Sequence, residues 1–415
     1  MSDGAATLTL TQPDDWHLHL RDGPALAAVV GATTRVFARA IVMPNLRPPV
    51  TTTAAAAAYR DRILAARPAG SDFDPLMTLY LTDATSAEEI ARAKASGFVH
   101  AVKYYPAGAT THSDSGVTAL TRAYPAIAAM EREGLVLSVH GEVTDPDVDV
   151  FDRERVFVER HLAQLVRDFP ALRIVVEHVT TREAAHFVRD APPTVAATIT
   201  PQHLRYSRNA LFAGGLRPHW YCLPVLKRED HRAALVAAAT SGGAKFFLGT
   251  DSAPHARSTK ESACCGAGCY TAPLALELYA EVFDDAGALD RLEGFASVHG
   301  AAFYGLRRNA ATVTLERAAW TVPADYPFGA DRLVPLRAGE TLRFRLRKLG
   351  SETTFRSTKK IVSDPTSPSR KKIVSDPTSA GAILAARSQP DRRCLDARKR
   401  NGGEESPGST EQDAG

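Results

Sequence analysis

The chain reads as an α/β protein folded around one closed (β/α)8 TIM barrel, and three observations carry that expectation. Eight short β-rich runs recur within the first 255 residues. Segments of helical composition separate most of them. The runs are also near-continuously apolar, as strands buried on both faces of a parallel sheet must be. The alternative is an open doubly wound sheet. That fold usually carries a Gly-rich loop after its first strand, and "WHLHLRDGPA" is not G-x-G-x-x-G.

In order, the strand runs are "DDWHLHL" (15–20 at its core), "AIVMPN" (40–45), "LMTLYLT" (76–82), "AVKYY" (101–105), "LVLSVHGE" (135–142), "RIVVEHV" (173–179), "VAATITPQH" (195–203) and "KFFLGTDSAPH" (245–255). Helical composition marks 51–68, 86–97, 119–134, 152–170, 181–190 and 228–243. After Lys348 the character changes. "KKIVSDPTS" occurs twice, at 359–367 and 371–379, in a stretch rich in Ser, Pro, Arg and Gly. We expect a catalytic unit over 1–348 and a disordered tail over 349–415, too poor in apolar side chains to order itself.

With 415 residues, 44% of them hydrophobic, the chain can bury a large core. A net charge of +3 gives no broad basic field, so nucleic acid is not an expected partner. No apolar run is long enough to span a membrane, and the N-terminus lacks a signal-peptide pattern. Five cysteines, odd in number and sparse, do not suggest a disulfide framework. A cytoplasmic protein is expected.

Chemistry-bearing residues cluster at the C-terminal ends of the expected strands. Side chains alternate along a strand, so His17, His19 and Arg21 share one face of the first run. Lys103 lies in the fourth run, His140 and His178 end the fifth and sixth, and Asp251 ends the eighth. In a (β/α)8 barrel those ends form one rim, where active sites lie. A lone strand-end histidine is more often a hydrogen-bonded structural residue. A His-x-His pair joined by two further histidines, a lysine and an aspartate on one rim reads as a metal site, and such donors suit zinc. Lys103 sits in an apolar run, and a buried amine gives up its proton easily. The neutral amine can add carbon dioxide to give an anionic carbamate, whose two oxygens could bridge two cations.

The motifs "DDWHLHLRDG", "AIVMPNLRPPVTT", "VKYYPAGATT", "VHGEVT", "EHVTT", "ATITPQHL", "CLPVLKRE" and "LGTDSAPHARSTKE" closely resemble those of the dihydroorotase family, short bacterial type (class II), of the amidohydrolase superfamily. The resemblance spans roughly residues 7–348. It implies a homodimeric hydrolase with two Zn2+ per subunit that interconverts (S)-dihydroorotate and N-carbamoyl-L-aspartate in pyrimidine synthesis. By resemblance, His17 and His19 bind one zinc with Asp251, His140 and His178 bind the other, and Lys103, as N6-carboxylysine, bridges both. His19 also faces the substrate. Arg21, Asn45 and His255 hold its carboxylate, and the main chain at Leu223 and Ala267 binds the ring. Asp251 is the expected proton carrier. Thr110 and Thr111 belong to a loop that closes on the substrate. Cys264, Cys265 and Cys269 resemble a Cys-rich loop of the family and read as reduced thiols rather than a further metal site. Two rivals are weighed. A hydantoinase or allantoinase would waste the anion clamp on an uncharged ring, and a catalytically dead barrel would typically have lost metal ligands.

Overall fold

The computed structural model describes residues 7–347, so the expectation for 349–415 lies outside the described residues. A short strand, β1 (Thr7–Thr11), precedes the barrel. The barrel strands are β2 (Asp14–Leu18), β3 (Arg39–Val42), β4 (Asp74–Tyr80), β5 (Val99–Tyr104), β6 (Val136–Val139), β7 (Ile174–Val176), β8 (Val195–Ile199) and β9 (Phe246–Leu248). They pair in parallel and in chain order, β2 to β9. Each expected run overlaps one of them, and the observed β3, β4 and β5 begin one or two residues earlier than expected. Most runs overshoot at the C-terminal end, because the residues that follow leave the ladder to form the rim.

The seam between β9 and β2 is closed just beyond β9. Asp251 N–H donates to His17 O at 2.9 Å, and His19 N–H donates to Ser252 O at 3.1 Å. Below them the Asp15 carboxylate accepts from Thr250 N at 2.8 Å and Thr250 Oγ1 at 2.5 Å.

Inside the barrel the side chains stack in layers. The floor takes one residue from every strand: Trp16, Ile41, Leu76, Ala101, Val136, Val175, Ala196 and Phe247, all buried in one apolar cluster with Ala301 and Tyr304. Two residues further along several strands the inward layer turns polar: Thr78, Lys103, Ser138, Glu177 and Thr198, all buried. A strand's period of two carries the same inward face from Ser138 up to His140.

Outside, helices cover the sheet. Thr53–Ala66, Ala87–Ala95, Tyr124–Glu133, Arg182–Asp190 and Glu229–Ala239 fall in expected segments. The segment 152–170 folds as Arg153–Phe157 and Ala163–Asp168 around a π turn, Val158–Leu162. Thr52, Ser86 and Thr181 cap their helices through side-chain oxygens. A three-stranded antiparallel sheet of β1, β10 (Thr312–Glu316) and Arg345–Leu346 joins the two ends of the described chain. Cys222, Cys265 and Cys269 are free thiols, so the expectation for the Cys-rich loop holds for two of its three cysteines; Cys264 is not among them. No helix among the described residues is long and apolar enough to cross a membrane.

Candidate active site

The rim residues read from the sequence meet in one pocket. His17, His19, Arg21, Asn45, Thr110, Thr111, His140, His178, Leu223, Asp251 and Ala267 all line it. Lys103 and His255 do not: Lys103 lies in the polar layer below, and His255 stands behind Arg21.

His17, His19 and Asp251 form the tightest group. His19 Nε2 lies 3.1 Å from Asp251 Oδ1, His17 Nε2 lies 3.4 Å from the same oxygen, and the two imidazole nitrogens are 3.4 Å apart. One ligand atom from each falls within 4.8 Å of the others, the compass of a single cation. The first and last strands of the barrel, β2 and β9, bring them together. Gly249 allows the approach, since a Cβ there would lie 2.7 Å from Thr198 and 3.2 Å from His17. The rings continue as a row: His17 to His178 at 5.0 Å and His178 to His140 at 4.9 Å between centroids.

Three of the four rings are held by a side chain on one nitrogen. His17 Nδ1 pairs with Glu177 Oε2 at 2.9 Å, His19 Nδ1 with Asn45 Oδ1 at 2.9 Å, and His140 Nε2 with Glu142 Oε2 at 2.7 Å. Thr198 Oγ1 fixes Glu177 from behind at 2.6 Å. Lys103 Nζ and His178 Nδ1 are among the buried polar atoms with no hydrogen-bond partner among the described residues. A buried amine and imidazole nitrogen left unpaired are costly unless something binds them.

Burial drives the site's protonation states. It pushes the Lys103 ammonium down to about 8, against the pull of Glu177 and Asp251. Burial and then the Lys103 charge hold His17 and His178 well below the usual imidazole range, so both are neutral, as ligands must be. Burial opposes ionisation of Asp251, but the hydrogen bond from His19 and the charges around it outweigh that and hold the carboxyl below its usual range.

Beside this cluster stands a guanidinium–imidazole pair. Arg21 donates from Nε to Pro254 O at 2.9 Å, and its Nη2 lies 3.0 Å from His255 Nε2. His255 Nε2 also lies 2.9 Å from Ala267 O. Burial and the neighbouring Arg21 hold His255 well below the imidazole range. Asn45 Nδ2 donates to Thr111 O at 3.1 Å, which draws the Thr110–Thr111 loop in over the pocket. Arg21, His178 and Asp251 have φ of 61°, 41° and 44°, a left-handed region that side chains avoid. Such strain costs roughly 1–3 kcal/mol per residue and collects where function needs a particular direction.

Residues 10–362 match the amidohydrolase family. A dihydroorotase of Cupriavidus necator is 68% identical over 340 residues, covering 82% of this chain and 99% of its own. That match decides the family.

The chain belongs to the dihydroorotases.

The solved structures agree. A dihydroorotase of Campylobacter jejuni superposes with a TM-score of 0.77 at 35% identity, covering 84% of this chain and 99% of its own. A Saccharomyces cerevisiae dihydroorotase, solved with 5-fluoroorotic acid, superposes with a TM-score of 0.76 at 32% identity, covering 82% and 98%. As a dihydroorotase the chain is a cyclic amide hydrolase. Glu177, Glu142 and the His19–Asn45 pairing are the functional features that sequence reasoning missed. Glu177 had a visible signal, a carboxylate within an apolar run.

Proposed function

We propose that the chain carries out the reversible, metal-dependent hydrolysis of (S)-dihydroorotate to N-carbamoyl-L-aspartate, the third step of de novo pyrimidine (UMP) biosynthesis, in the cytoplasm. One observation carries the reading: a guanidinium–imidazole pair, Arg21 and His255, stands beside a buried His17–His19–Asp251 cluster. An anion site next to a metal site suits a cyclic amide that bears a carboxylate. The ring acid bound to the yeast protein is of that kind. A hydantoinase-type reading leaves the anion site without a ligand.

The residues present fit a pair of divalent cations, and the donor set favours zinc. His17, His19 and Asp251 would hold one, His140 and His178 the other, and carboxylated Lys103 would bridge both. The unpaired Lys103 Nζ and His178 Nδ1 support that assignment. When bound, two such cations supply hydroxide near neutral pH and polarise a carbonyl.

The chain's own residues do the rest. Arg21, Asn45 and His255 grip the substrate carboxylate. Leu223 and Ala267 hold the amide edge of the ring through main chain, Ala267 by its N–H, because its carbonyl already faces His255. Thr110 and Thr111 cover the pocket and keep water out. Asp251 starts ionised, takes a proton at its carboxylate oxygen from the nucleophile, and passes it to the ring nitrogen as that nitrogen leaves. In the reverse direction it returns the proton. The reading includes a homodimer, and the exposed Phe212 and Leu216 suit a face between two copies. Sedimentation tests that.

The test of function is turnover of dihydroorotate, followed as loss of ultraviolet absorbance, together with metal analysis. About two divalent metals per chain and a strong preference for dihydroorotate over hydantoin are expected. An equal or greater rate on hydantoin would sink the carboxylate reading.

A further inference from the structure

Two main-chain segments that border the pocket, at Leu223 and Ala267, are not barrel strands. The Ala267 segment meets the barrel through an isolated bridge of Cys269 to Ser252, with Ala253 N–H donating to Cys269 O at 2.8 Å. One main-chain bond joins the two, Gly268 N–H to Tyr221 O at 3.0 Å. A buried cation supplies three more links. Lys260 Nζ donates to Tyr221 O at 2.8 Å, Gly266 O at 2.7 Å and Gly268 O at 2.8 Å. Lys260 is 3% exposed, and these three bonds use all the donors an ammonium has.

The pattern is directional. The carbonyls on either side of Ala267 turn to Lys260, whereas that of Ala267 itself turns to His255. The two glycines permit this close packing: a Cβ at Gly266 would lie 2.7 Å from the His255 ring, and one at Gly268 would lie 2.6 Å from Ala253. On the Leu223 side, His203 donates from Nε2 to Pro224 O at 2.9 Å.

We infer that Lys260 is a positioning residue for ring recognition. It sets the spacing and rotation of the Leu223 and Ala267 main chain, and so how tightly the ring is held, without touching substrate. The inference rests on the reading above, in which that main chain binds the ring. Removing the ammonium leaves the Gly266 and Gly268 carbonyls without this donor and Tyr221 O with Gly268 N–H alone, which loosens the Ala267 segment. Because Lys260 bonds to these carbonyls and not to the metal-ligand cluster, binding of the ring weakens in ground and transition states alike, and the loss falls on KM.

In the metal-loaded full chain, Lys260→Met should raise both the KM for dihydroorotate and the Kd for 5-fluoroorotic acid about tenfold. Metal content should stay parental and kcat within about threefold of the parent. Lys260→Arg keeps a cation and donors in the same slot. It should shift both constants in the same sense by a few-fold, and it decides the matter if the methionine variant does not fold. Unchanged constants in the folded variants, or a loss of kcat alone, overturn the assignment. A residue that merely held the fold together would lower the melting temperature and the amount of active enzyme, and leave KM and Kd where they were. The parent separates the two readings: no turnover of dihydroorotate by the parent removes the function itself, whereas an active parent with indifferent variants removes only the role of Lys260.

Discussion

Lys103 places an amine where no hydrogen-bond partner reaches it among the described residues, beneath a row of imidazoles. At about 8, a sizeable share of that amine is neutral near physiological pH; at an ordinary lysine value it would be roughly one in a thousand. Neutral amine adds carbon dioxide and loses a proton to become a carbamate, which exchanges a repelling charge for an attracting one. Lys103→Ala should therefore lose metal and nearly all turnover while the apolar floor keeps the barrel folded. Acetate with zinc should restore part of the rate. Lys103→Arg should resist rescue, since its guanidinium stays charged and fills the gap. Two tightly held metals with near-parental activity in Lys103→Ala would rule out bridging. Arg21→Met should weaken transition-state binding of dihydroorotate by roughly 2–5 kcal/mol at unchanged metal content, the range for truncating a desolvated charge pair. Parental turnover in that variant would move the carboxylate elsewhere. At this scale the sequence was legible where chemistry-bearing types stood at strand ends, as at His17, His19, His140, His178 and Asp251. The Arg21–His255–Ala267 contacts and the positive φ values were not, because they arise from segments that only the closed barrel brings together.

Among the elements, the turn after β7 shows how the rim histidine His178 is held in place. Glu154, 2% exposed at the start of helix Arg153–Phe157, accepts from Thr180 N, Thr180 Oγ1, Thr181 N and Thr181 Oγ1 at 2.5–2.9 Å. It thus anchors the segment that follows His178. Glu154→Gln keeps the shape but sets an amide donor against these donors. It should cost about 1–3 kcal/mol of stability, read as a lower urea midpoint. An unchanged midpoint would mean the turn is held by its helix cap alone. The eight strands were legible because buried parallel strands are apolar without interruption. Helices Pro24–Thr34 and Ala275–Asp285 were not named in advance, the second for a related reason. In the second, every residue from Ala275 to Phe283 is buried, and a helix covered on all sides lacks the one-sided pattern that announces it.

For the whole molecule, buried neutral histidines tie stability to pH. Burial pushes His203 down to about 4 from 6.5. Below pH 6.5 the unfolded chain protonates this ring and the folded protein does not until about pH 4. The unfolded state therefore binds more protons across that window, and stability falls as the pH falls through it. His203 alone accounts for about 3 kcal/mol. The urea midpoint of His203→Gln should fall less steeply than the parent's between those pH values, in the same metal state; equal slopes would refute the assignment. The division of the chain at 348 is a proposal at the same scale. Chain contacts divide after Lys348, and the Cupriavidus relative is covered to 99% by 340 residues of this chain. A chain stopped after Gly350 should keep its activity and melting temperature, and loss of either would show that the tail contributes to the enzyme.

The seam between the first and last barrel strands has a consequence for how the protein is made. Asp15 and Thr250, hydrogen-bonded across it, are 235 positions apart, and the cluster of His17, His19 and Asp251 straddles the same joint. A ribosome delivers both histidines early and the aspartate only after the eighth strand has been synthesised. A chain stopped before Asp251 therefore lacks one of the three side chains of this cluster. Once the strands meet, a captured cation favours the joined form over any open one in proportion to its binding. On the proposed function, metal loading would then mark the closing of the ring.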